Sequence, residues 1–155
     1  METIWTSVVA VTGTLLGSVV THVFQRLASR RSELFARSEA LRQERTATYS
    51  AFATAVEDYR HGQASRWYLK QEAPGGEAFI RARDEAHRLR TSARQALYRV
   101  KLLTDDREVI LAAERAYHCT REVSNAQDQA DQDRRNAQAR ETIEAFVTFA
   151  SPLVR

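Results

Sequence analysis

Cysteine, proline, glycine and lysine are all scarce in this 155-residue chain, and each shortage removes options. The single cysteine, Cys119, cannot close an internal disulfide and suits a reducing compartment. Two prolines and five glycines leave few places to turn, and Gly13 and Gly17 both fall inside an apolar run. A β-rich fold needs more turn residues and more β-branched alternation than the chain after Phe24 offers. Lys70 and Lys101 are the only lysines, a usage that fits a high-GC genome. Aromatic residues make up 8% of the chain against 28% charged, so any core is modest. The formal net charge of +3 is spread among interspersed acids. A nucleic-acid reader shows a clustered basic face, so direct nucleic-acid binding is not expected.

One local absence matters most. No charged residue lies between Thr3 and Gln25, and Ile4 to Phe24 is mostly apolar. A bilayer core of about 30 Å needs roughly 20 such residues as a helix. A cleaved signal peptide would carry a positive n-region, but Glu2 is the only charged side chain there. A buried core helix would have to be wrapped by a domain with too few large apolar residues. The stretch therefore reads as a retained single-pass anchor over residues 1–25. Arg26, Arg30, Arg31 and Arg37 against Glu33 on the C-terminal flank put that side in the cytoplasm and the N-terminus outside. Gly13 and Gly17 form GxxxG, extended by Thr21 at the same spacing. Small residues let two membrane helices approach closely, so Gly13, Gly17 and Thr21 are candidates for association in the membrane.

Beyond the anchor, Ala, Arg, Glu and Gln dominate, and all form helix at little entropic cost. Leu27, Leu34 and Leu41 give a thin heptad seam over an Arg-rich juxtamembrane stalk, residues 26–48. Phe52, Val56 and Tyr59 continue an apolar face, so one long helix is expected to about Gln71, weakened at Gly62. Ala73-Pro74-Gly75-Gly76 is the clearest break. Phe79, Ala82, Ala86, Leu89, Ala93, Ala96, Val100 and Leu103 then alternate spacings of three and four, an alanine-rich stripe for close helix packing. Asp105 with Glu108 resembles a capping box that opens the next helix, with Val109, Ala113, Ala116, Thr120 and Val123 as its stripe. Residues 124–138 hold no large apolar side chain and fit a polar helix surface or a loop equally. Ile143, Phe146, Val147 and Ala150 form a last short stripe, ended by Pro152. The expected fold is all-α: a transmembrane helix running into a long helix, packed in a three- to four-helix antiparallel cytoplasmic bundle over residues 49–155.

Catalytic chemistry finds no foothold. No strand–Gly-loop–helix unit exists for nucleotide binding. His22, His61, His87 and His118 share no metal-ligand spacing, and on a helix His118 and Cys119 diverge by about 100°. Neighbouring acids such as Glu57-Asp58 diverge in the same way. No catalytic, cofactor-binding or metal-ligating residue is assigned, and no enzyme activity is expected. The most unusual patch runs from Tyr49 to Tyr68, with Tyr59, Arg60, Arg66, Trp67 and Tyr68 as a candidate docking face of aromatic and basic anchors. The plainer alternative places Phe52 and Tyr59 in the core, since their spacing is helical.

Taken in order, the apolar span, the Arg-rich stalk, Tyr49-Ser50-Ala51-Phe52, Asp58-Tyr59-Arg60, Gln63, Arg66-Trp67 and Ala96-Leu97-Tyr98-Arg99-Val100-Lys101-Leu102-Leu103 resemble the small KilB-type proteins of actinomycete conjugative plasmids and their chromosomal relatives. The resemblance covers most of the chain and thins after Val123. It implies a non-enzymatic, membrane-associated role in plasmid transfer, above all in spread of plasmid between compartments of the recipient mycelium. Expected partners are the membrane, further copies of the chain, or other membrane transfer proteins. A membrane-tethered regulator that binds DNA or a small ligand is the alternative, and a membrane-active toxin on overproduction is a third.

Overall fold

The helix-forming composition is realised throughout. The computed structural model contains α1 (Glu2–Glu72), α2 (Glu77–Leu103), α3 (Arg107–Glu122) and α4 (Gln129–Ala150), with 3-10 turns at Val123–Asn125 and Ser151–Val154. Side chains are described for Glu33 and residues 35–155. The anchor expected at 1–25, with Gly13, Gly17 and Thr21, lies outside the described residues, as do Leu27 and Leu34. Among the described residues no helix is long and apolar enough to cross a membrane. The chain divides into two units, residues 1–41 and 42–155. In the first, Phe35 is exposed and the Ser38 hydroxyl donates to the Phe35 carbonyl at 2.8 Å.

The second unit is a four-helix antiparallel bundle. Its core takes Tyr49, Phe52, Val56 and Tyr59 from α1, and Ala93, Leu97 and Val100 from α2. Val109, Ala112, Ala113, Ala116 and Tyr117 come from α3, and Ile143, Phe146 and Ala150 from α4. Every member of the α2 stripe from Phe79 to Leu103 is buried or half-buried, and all five of the α3 stripe are buried. Short connections force neighbouring helices to run antiparallel. Cross-helix contacts agree: Lys101 pairs with Glu114 across α2 and α3, and Tyr49 and Phe52 meet Phe146 across α1 and α4. Phe146 is fully buried, edge-on to Phe52 at 4.7 Å between centroids, a favoured aromatic geometry.

The structure sharpens three local readings. Gly62 does not interrupt α1, and it packs against α2: a Cβ there would stand 2.6 Å from Leu89 Cδ1. The cap of α3 is Asp106, not Asp105: Asp106 Oδ1 accepts from the Glu108 and Val109 amides at 2.9 and 3.2 Å. Thr104, which ends α2, holds that residue in place, its hydroxyl accepting from the Asp106 amide at 3.1 Å. Last, most of 124–138 is helix, since α4 begins at Gln129 under an Asp128 cap that accepts from the Asp131 amide at 2.8 Å. At the break between α1 and α2, Gly75 takes φ of +82°, a left-handed conformation that suits glycine.

Candidate functional site

The face of α1 that carries Tyr59, Gln63 and Arg66 follows helical spacings of four and three, so the three side chains share one side. That side opens onto His87 and Arg90 of α2, over the small Ala86, and onto Arg121 and Glu122 at the end of α3. Ser124 and Asn125 of the following 3-10 turn close the rim. The result is a polar cleft of about 350 Å³ with a guanidinium from each of three helices. Gln63 Nε2 donates to the Arg121 carbonyl at 2.9 Å, which ties α1 to the end of α3.

Charge in the cleft is unbalanced. Glu122 is the only acid among its lining residues, and it is already engaged. Its Oε2 accepts from Asn125 Nδ2 at 2.8 Å and its Oε1 from Arg121 Nε at 3.0 Å. Those two contacts, Asn125 first, hold the Glu122 carboxyl below the usual range, so it stays ionised. No described carboxylate pairs with Arg66 or Arg90. Contact with the Tyr117 hydroxyl holds the Arg90 guanidinium all the more firmly in its charged form. Burial pushes the Tyr59 phenol up to about 12, so the hydroxyl at the base of the cleft is neutral at physiological pH.

The five residues expected to form a docking face do not share a surface. Tyr59, Arg60 and Trp67 are buried, Arg66 is half-buried in the cleft, and Tyr68 is exposed. Arg60 grips Glu57 in its own helix through Nε at 3.0 Å and reaches Asn136 of α4 through Nη1 at 2.5 Å. Trp67 donates from Nε1 to the Ala126 carbonyl at 2.8 Å, and the Tyr68 hydroxyl accepts from Gln129 Nε2 at 3.1 Å. The anchoring chemistry of Arg60 and Trp67 is thus spent inside the bundle, where buried donors need partners. Arg90 and Arg121, which complete the cleft, carry no mark in a sequence where arginines recur along every helix. Among the described residues no group of three His, Cys, Asp or Glu side chains is placed to hold a metal ion. His118 is exposed with its ring edge-on to Tyr117, and Cys119 beside it is half-buried.

A second depression, apolar and about 380 Å³, lies between α1 and α4. Thr46, Tyr49 and Ala53 form one wall, Phe146 and Ala150 the other, and Val154 its end.

No curated protein and no solved structure matches the chain. A family model described as KilB plasmid transfer protein matches residues 46–154, nearly all of the four-helix unit. The chain belongs to the KilB plasmid transfer protein family.

Proposed function

We propose that this member of a plasmid-transfer family is a membrane-anchored, non-enzymatic assembly protein that acts in spread of plasmid through the recipient mycelium. The family match over residues 46–154 carries the plasmid-transfer part. The anchor rests on the uncharged run from Ile4 to Phe24, long enough for a bilayer core of about 30 Å, and its direction on the arginines that follow. With the N-terminus outside, the four-helix unit faces the cytoplasm at the cell membrane. Assembly, with itself or with other transfer proteins, is assigned to the Gly13–Gly17–Thr21 face, where small residues permit close helix approach. Exposed apolar side chains such as Tyr98, Leu102 and Phe149 add contact surface on the folded unit.

The test is fractionation and crosslinking in the native host. The full chain is expected in the membrane fraction after alkaline wash, and a chain lacking residues 1–25 in the soluble fraction. A reporter after Arg155 should read cytoplasmic, and Gly13→Ile with Gly17→Ile should reduce crosslinked oligomer. Recovery of the full chain in the soluble fraction would overturn the anchor. A second reading, a membrane-tethered regulator that binds a small ligand, is favoured by one observation: the arginine-rich cleft.

A further inference from the structure

We propose that the cleft between α1, α2 and the end of α3 binds a small anion bearing a phosphomonoester or diphosphate group, held by Arg66, Arg90 and Arg121. The inference stands on the folded unit alone and does not depend on the anchor or on self-assembly.

Three features converge. The first is charge left without a carboxylate partner. Toward the start of α2 each arginine has an acid beside it: Arg81 with Glu77, Arg83 with Asp84, Arg88 with Glu85. In the cleft, three guanidiniums face one carboxylate, which leaves two positive charges uncompensated. A phosphate-type dianion matches that excess, and a guanidinium presents its N–H groups in the fork that phosphate oxygens accept.

The second is the origin of the charges. Arg66, Arg90 and Arg121 come from three helices, and all three fields reach the Tyr59 hydroxyl. Bringing like charges together opposes folding unless an anion offsets the repulsion. The third is size. About 350 Å³ falls at the small end of ligand pockets, enough for a phosphate with a modest organic part. A nucleic-acid strand would need a basic track along several phosphates, and the paired arginines of α2 do not extend one.

The same group could arrive on a soluble metabolite or on a lipid headgroup, and the test separates them. The full chain in neutral detergent micelles is titrated by calorimetry in low-chloride buffer with pyrophosphate, and separately with dihexanoyl phosphatidic acid. Saturable one-site binding of either supports the inference. The tighter of the two names the source. Arg66→Gln should weaken binding about tenfold, the loss of a charge-assisted bond, and Arg66→Glu should abolish it. Without ligand both should melt no lower than wild type, because Arg66 makes no described ion pair and its loss relieves repulsion among the cleft guanidiniums. Arg94→Gln, on an exposed face of α2, should bind unchanged. No saturable binding of either probe, or binding that survives Arg66→Glu, would overturn the proposal.

Discussion

Gly62 on α1 and Leu89 on α2 are matched in shape: a Cβ on the glycine would stand 2.6 Å from Leu89 Cδ1, with Ala86 Cα at 3.7 Å behind it. Glycine inside a helix costs about 1 kcal/mol relative to alanine, so its place here reflects the close approach of the two helices. Gly62→Ala should therefore be nearly neutral, the helix gain of about 1 kcal/mol being offset by displacement of Leu89. In a Leu89→Ala background the clash is gone, and the same substitution should stabilise by the full amount. Denaturant unfolding of the four variants reads this coupling directly. Additive effects would show that the two side chains do not compete for the space.

The cap of α3 separates two adjacent aspartates. Asp106→Ala removes the acceptor of the Glu108 and Val109 amides and should cost about 1 kcal/mol. Asp105 is exposed and caps nothing, so Asp105→Ala should leave the unfolding midpoint within a few tenths of a kcal/mol. The opposite order of effects would move the start of the helix by one residue.

Phe146 carries the junction of α1 and α4. It is fully buried and touches both Tyr49 and Phe52 edge-on. Phe146→Ala should cost about 3–5 kcal/mol, a large part of the stability of a single domain. Loss of near-ultraviolet circular dichroism with helix content largely kept is the expected signature. A variant that melts like the wild type would remove Phe146 from the core.

Acid should weaken the bundle through carboxylates tied to specific donors. Arg60 holds Glu57 below its ordinary value of 4.5. Asn125 and Arg121 do the same for Glu122, and the Gln127 amide, with Arg135, for Asp131. A carboxyl whose pKa is lower folded than unfolded stabilises fully above the unfolded value and loses that contribution as pH falls through the folded one. Stability should thus be level above pH 4.5 and decline below it. Glu57→Gln should flatten part of the decline, read as the slope of the denaturant midpoint against pH. An unchanged slope would show that the Arg60 contact is not maintained in solution.

Where the sequence was readable, the reason was periodicity. The α2 stripe from Phe79 to Leu103 announced its buried face because apolar residues at spacings of three and four have no other economical explanation. The start of α4 stayed open because its buried side chains are Asp131 and Gln132, which an apolar pattern does not mark. Trp67 reads as an anchor at a helix end until its partner, the carbonyl of Ala126, is known; that contact joins residues 59 apart in the chain. The cleft was illegible for the same reason. Arg66, Arg90 and Arg121 are unremarkable singly, and only the packing of three helices sets them together.

The groove between α1 and α4 ties the chain's carboxyl end to the point where α1 enters the unit, for Val154 lines it together with Thr46 and Tyr49. Tension between Arg42 and Arg155 would therefore act on one end of the α1–α4 pair. It would peel the helices apart a turn at a time from Ala150 and Tyr49, rather than shear the whole interface at once. The α1–α2 turn at Gly75 lies beyond the far end of α1, away from that line of force. Load on that turn would leave the zipper closed, whereas a handle on Arg155 would become part of it.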